Sequence, residues 1–136
     1  MEFAWDRSLA TGIPDVDRQH QEIFGRAEAL VLAIRRGSSR EEVGATLRFL
    51  EQHVETHFRD EEALMRAVGF PQIEPHLREH QEFLREVTAL GSEHRRDGAS
   101  PGLILRVTGR VSSWLKSHIG ETDRRLAEFV RARNGG

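Results

Sequence analysis

The chain has 136 residues, with 20 Lys and Arg against 22 Asp and Glu, a formal net charge of −2, seven His, and neither Cys nor Tyr. A single domain spanning residues 1–136 is long enough to bury a core without covalent cross-links. The lack of Cys excludes a disulfide framework, thiolate-bound zinc, iron–sulfur clusters and a thiol nucleophile, and the even charge balance offers no basic excess for a nucleic-acid partner.

Met1 to Ala10 is charged and holds no continuous apolar run, so it reads as an N-terminal arm and not as a leader. The most apolar stretch, Ala27 to Ile34, is interrupted by Glu28 and is too short for membrane insertion. The expected location is cytoplasmic.

Helical periodicity begins after Gly12 and Pro14. A first helix is predicted from Val16 to Arg36, with Ile23, Ala27, Leu30 and Ile34 at spacings of three and four. After Gly37-Ser38-Ser39, with Ser39 read as N-cap and Glu41 and Glu42 in the first turn, a second helix carries Val43, Leu47, Leu50, Val54, Phe58 and Met65 inward and stops before Gly69. A third runs from Ile73 to Arg96 through Leu77, Phe83, Leu84, Val87 and Leu90, with Pro75 in its first turn. A fourth starts after Pro101 and passes through Leu105, Val107, Val111, Trp114, Leu115 and Ile119. A last amphipathic stretch covers Glu121 to Arg133, before Asn134-Gly135-Gly136. No segment alternates with period two. The expected fold is all-α: an antiparallel up-down-up-down four-helix bundle with an N-terminal arm and a short C-terminal helix.

The spacing of the histidines carries the chemistry. His57 and Glu61 are four apart, as are His76 and His80, so each pair shares one helix face. His118 and Asp123 are five apart, which overshoots a turn of straight α-helix; a relaxed helix around Gly120 would bring the carboxylate back inward. His20 stands alone in Asp17-Arg18-Gln19-His20-Gln21. Each of the four helices thus offers ligands to one interior. Five imidazoles and two carboxylates exceed the four ligands of a zinc ion, and two six-coordinate ions sharing bridging carboxylates would use them all. Nitrogen and oxygen ligands without thiolates suit non-haem iron or manganese better than copper(I) or zinc. His53, one turn before His57, is placed at the edge of such a site, and His94, among Glu93, Arg95 and Arg96, is read as solvated.

These motifs resemble the hemerythrin family, in particular its single-domain bacterial members (bacteriohemerythrins). The likeness rests on the lone His20, His57-x-x-x-Glu61, His76-x-x-x-His80 and His118-x-x-x-x-Asp123. The flanking text agrees: Trp5, Thr11-Gly12-Ile13, His57-Phe58-x-x-Glu61-Glu62-x-Leu64-Met65, Gly69-Phe70-Pro71 and Trp114-Leu115-x-x-His118-Ile119. The resemblance implies two iron ions in a carboxylate- and oxo- or hydroxo-bridged di-iron centre that binds O2 reversibly. It implies that His76, His80 and His118 hold one iron, His20 and His57 the other, and that Glu61 and Asp123 bridge them. It places Ile23, Phe58, Trp114, Leu115 and Ile119 around the O2 pocket. Their apolar spacing alone suits bundle core equally well; Trp114 is the residue expected to face O2. Many members carry a Tyr three residues after the bridging Asp, where this chain has Leu126, so autoxidation or solvent access is expected to differ.

The function implied is O2 storage, transport or delivery, with O2 as the ligand, a recipient of unknown identity and no catalytic residue. The alternatives are an enzyme using the same centre, as a peroxidase, nitric oxide reductase or ferroxidase, and a bundle with a degenerate or zinc-loaded site. Glu62 and His53 are the nearest candidate proton donors for the enzyme reading.

Overall fold

The computed structural model of the chain describes Trp5 and residues 7–135. Half of the expected arm, Met1–Ala4 and Asp6, lies outside the described residues, as does Gly136 of the closing glycine break. The regular elements of the described residues are all helical, without a strand. A 3-10 turn at Arg7–Leu9 precedes α1 (Pro14–Arg36), α2 (Ser39–Val68), α3 (Ile73–Asp97), α4 (Pro101–Ser113), a π-helical segment (Trp114–Thr122) and α5 (Asp123–Gly135). α1 packs on α2 and α4, α2 also on α3, and α3 on α4, an arrangement consistent with a helical bundle.

Local chemistry explains the boundaries. Thr11 donates to the Asp17 carboxylate from both its backbone N–H (2.8 Å) and its Oγ1 (2.9 Å), and the Gly12 N–H adds a third bond at 3.3 Å. Asp17 thereby gathers the Thr11-Gly12-Ile13 segment over the positive end of α1. At the far end Gly37 adopts the left-handed conformation (φ 77°), and the Ser38 N–H reaches back to Ala33 O at 2.8 Å. Gly69 ends α2 in the same way (φ 69°), with Phe70 N–H bonded to Met65 O at 2.9 Å. Ser39 is not the N-cap of α2: Ser38 takes that position and Ser39 opens the helix. Ser100 caps α4 by accepting from Leu103 N–H at 3.1 Å, with Pro101 in the first turn.

The apolar residues predicted to face inward on α2 are all buried. Two expectations fail. Ile34, in the last turn of α1, is 41% exposed, and Leu105 is 74% exposed. The inward row of α4 starts instead at Leu103 and continues at spacings of four through Val107 and Val111, which leaves Leu105 on the outer face.

The core divides in two. Ile23, Leu47, Val54, Phe58, Phe83, Trp114 and Ile119 belong to the larger cluster, while Met65, Phe70, Leu126 and Val130 form the smaller. Along α2 the chain passes from Phe58 to Met65 through Glu61, and across the π segment into α5 it passes from Ile119 to Leu126 through Asp123. A polar layer therefore separates two apolar ones.

Candidate metal centre

Seven titratable side chains make that layer, and none exceeds 2% exposure: His20, His57, Glu61, His76, His80, His118 and Asp123. The i,i+4 pairs on α2 and α3 bring His57 with Glu61, and His76 with His80, to one face each. The five-residue spacing is accommodated by the π segment, where Asp123 N–H bonds to His118 O, five residues back. Gly120 permits the tight turn, since a Cβ there would lie 3.2 Å from the Leu115 carbonyl oxygen. The relaxed helix expected around Gly120 is thus present, as an inserted π turn of the kind often found at functional sites.

All five imidazoles present Nε2 to the two carboxylates. Glu61 Oε1 lies 2.8 Å from His76 Nε2 and 3.0 Å from His80 Nε2, while its Oε2 lies 3.1 Å from His20 Nε2 and 3.5 Å from His57 Nε2. Asp123 Oδ1 lies 2.8 Å from His76 and 3.1 Å from His118, and its Oδ2 lies 3.2 Å from His20. The donor atoms fall into two groups, Glu61/His76/His80/His118/Asp123 and His20/His57/Glu61/Asp123, each within 4.8 Å. Each carboxylate sends one oxygen toward each group.

Three observations show that this donor set fits cations. Both Asp123 oxygens are buried without a hydrogen-bond partner, although Nε2 atoms lie close by, so the approach is wrong for N–H donation. His80 Nε2 and His118 Nε2 are 3.1 Å apart, and two such nitrogens repel unless a proton or metal ion lies against them. That separation also suits two ligands at right angles on one ion, about 3 Å apart for metal–nitrogen bonds of about 2.1 Å. Seven buried polar groups around no cation would be costly to desolvate.

In the metal-free protein, protons take the cation's place. Burial opposes charge on His20, but the Asp123 and Glu61 carboxylates beside its Nε2 override it and lift its pKa to about 10. His76 rises to about 9 against burial for the same reason. His118 is also raised despite burial, by the negative charge of Asp123 beside it. Burial wins at His57, which falls to about 4. The surrounding imidazoles hold Glu61 and Asp123 below the usual carboxylate range, although burial favours their neutral forms.

The five apolar residues named for the pocket are buried in the larger cluster. Phe58 stacks on His80 (centroids 3.8 Å apart, planes at 2°) and Trp114 on His118 (3.8 Å, 10°). A surface cavity of about 320 Å³ reaches Ile23 and His57 between α1 and α2. His53 lies on its wall, exposed, with Nδ1–H donating to Phe49 O (3.1 Å) and its ring stacked on Phe49. It is a boundary residue, as expected. His94 is not free in solvent: it is half-buried, and its ring packs against Gly44 of α2. Glu62 is engaged, with its Oε2 3.0 Å from His80 Nδ1. Gln19, Glu79 and Thr122 are not among the sequence candidates, though Gln19 and Glu79 contact the layer and Thr122 bonds to Glu79; the available signal is that Gln19 and Glu79 each adjoin a layer residue in sequence.

The sequence profile described as "Hemerythrin HHE cation binding domain" matches residues 11–130. A Bacteriohemerythrin of Stenotrophomonas maltophilia is 30% identical over 131 residues, covering 96% of this chain and 82% of that protein. One of Pseudomonas aeruginosa is 30% identical over 130 residues, covering 95% and 82%. One of Campylobacter jejuni is 38% identical over 72 residues, covering 53% and 54%. No solved structure matches the chain significantly. With a profile match across the bundle and full-length relatives at this identity, the chain belongs to the hemerythrin HHE cation-binding family.

Proposed function

We propose that the chain is a non-haem di-iron protein that binds O2 reversibly for storage, transport or delivery. We read it as one domain, an antiparallel up-down-up-down bundle acting in the cytoplasm. The observation that carries the reading is the division of donors into two groups sharing Glu61 and Asp123. His76, His80 and His118 would hold one iron, His20 and His57 the other, with Glu61 and Asp123 between them. Such a pair, when bound, would supply the electrons and the Lewis acidity that O2 binding requires.

The protein's own contribution is to shape and dry the surroundings. Ile23, Phe58, Trp114, Leu115 and Ile119 bring apolar surface to the layer and keep water from it. The two-imidazole group has one fewer protein donor than its neighbour, and the cavity between α1 and α2 ends on its His57 and on Ile23. Ligand access from that side follows. Glu62, weighed as a proton donor for an enzyme, is held by His80 and so favours binding over turnover.

The test is metal analysis with spectroscopy. Protein loaded with ferrous iron should hold two irons per chain and gain a visible absorption band on exposure to O2, lost again on deoxygenation. Zinc in the native protein, or one ion per chain, contradicts the di-iron reading. Irreversible oxidation contradicts carriage and supports a peroxidase, nitric oxide reductase or ferroxidase.

A further inference from the structure

Three interhelix hydrogen bonds around the centre follow one rule of placement. Gln19 precedes His20 on α1, yet its Oε1 lies 2.8 Å from Nδ1 of His57 on α2. Glu62 follows Glu61 on α2, and its Oε2 lies 3.0 Å from Nδ1 of His80 on α3. Glu79 precedes His80 on α3, and its Oε1 lies 2.8 Å from Nδ1 of His118 in the π segment. Each time, the sequence neighbour of one layer residue holds the outer nitrogen of a layer residue on the next helix. The chain of grips runs α1 to α2 to α3 to the π segment.

The acceptors settle the tautomers. An ionised carboxylate only accepts, so Nδ1 of His80 and of His118 must carry the proton that is shared. Gln19 is oriented by donating from Nε2 to Asp60 Oδ2 at 2.8 Å, which leaves its Oε1 to accept from His57 Nδ1–H. Thr122 Oγ1 donates toward both Glu79 oxygens at 3.0 and 3.2 Å and steadies that carboxylate. In each imidazole the Nε2 lone pair is thereby reserved for the interior. His20 Nδ1 and His76 Nδ1 have no hydrogen-bond partner.

The grips are also unequal. Both carboxylates act on the three-imidazole group, and the neutral amide acts on the two-imidazole group. A carboxylate behind an imidazole raises the basicity of its far nitrogen and orients the ring. We propose that Gln19, Glu62 and Glu79 are positioning residues that fix the tautomer and ring orientation of His57, His80 and His118, and that Glu62 and Glu79 make the His76/His80/His118 group the tighter of two divalent-cation sites. The ranking rests on the two-ion reading above; the tautomer assignment does not.

The test uses the metal-free full chain and cobalt(II) as probe, titrated without O2. The wild type should take up two ions in steps of unequal affinity. Glu62→Ala and Glu79→Ala should each weaken the tighter step about 10- to 100-fold and spare the weaker one, and Gln19→Ala should do the reverse. Glu79→Gln keeps an acceptor for His118 Nδ1–H while removing the charge, so it should fall between wild type and Glu79→Ala, and it serves if the alanine variant loses helicity. Independently of metal, proton NMR of the metal-free chain should show exchange-protected Nδ1–H signals from His57, His80 and His118, with that of His118 lost in Glu79→Ala. Two wild-type steps that Glu62→Ala and Glu79→Ala leave unchanged, or weaken equally, overturn the ranking alone. A wild type that takes up a single ion contradicts the two-ion reading with it. Absence of the protected protons overturns the tautomer assignment.

Discussion

His118 and Asp123 stand five residues apart and yet face one another, with Nε2 and Oδ1 separated by 3.1 Å. On an α-helix five residues leave the two side chains about 140° apart. The π turn removes that offset, and a Cβ at Gly120 would come within 3.2 Å of the Leu115 carbonyl oxygen.

Gly120→Val should therefore be destabilising by about 1–3 kcal/mol, because a branched side chain must displace backbone and not merely a flexible neighbour. Urea unfolding of the metal-free protein measures it, and metal uptake should fall alongside as Asp123 shifts. Wild-type stability with full uptake would show that the turn is not closely packed.

Much of this arrangement was legible in the sequence. The i,i+4 pairs place His57, Glu61, His76 and His80 by helix geometry alone, and even the five-residue spacing signalled a departure from α-helix at Gly120. The finer phases were not legible. Leu105 and Leu103 are both leucines after Pro101, and only the rotation of α4 decides that Leu103 is buried. Gln19 and Glu79 read as ordinary polar helix residues because their partners sit on the next helix, 38 and 39 residues away in the chain. His94 looked solvated among charges because nothing local reveals that Gly44 opposite leaves room for its ring.

The buried histidines set opposite pH dependences for the metal-free and metal-loaded protein. His20 and His76 titrate at about 10 and about 9 in the fold against 6.5 ordinarily, so their stabilisation is full below 6.5 and is lost as pH rises through 9 to 10. His57, lowered to about 4, works the other way: its contribution is present above 6.5 and is lost on acidification. Thermal unfolding of the metal-free chain should thus shift to lower temperature between pH 7 and about 9.5. Metal must displace the same protons, so uptake should release protons and strengthen with pH over that range, as titration in weak buffer would record. A metal-free midpoint that rises with pH would contradict the protonated cluster.

His118→Ala should abolish stoichiometric loading by removing a donor from the three-imidazole group. His94→Ala should leave metal content unchanged, since its ring contacts Gly44 and not the layer. Metal analysis of the two variants settles the division, and equal losses in both would undo it.

Leu126 stands three residues after Asp123, on α5. It is fully buried with Met65, Phe70 and Val130 beneath the polar layer. Leu126→Ala should cost about 2–5 kcal/mol through the cavity it leaves. Leu126→Tyr adds volume to a filled site and should cost about 1–3 kcal/mol, unless its hydroxyl finds a partner. Chemical denaturation of both variants gives the comparison, and a Tyr variant more stable than wild type would show that the cluster has spare room.

The most direct test of the central claim is stopped-flow mixing of the ferrous protein with O2, followed by deoxygenation. Reversible di-iron binding predicts a visible band that saturates at one O2 per chain, persists, and disappears when O2 is removed, over repeated cycles. Immediate conversion to a ferric spectrum that deoxygenation does not reverse would contradict it.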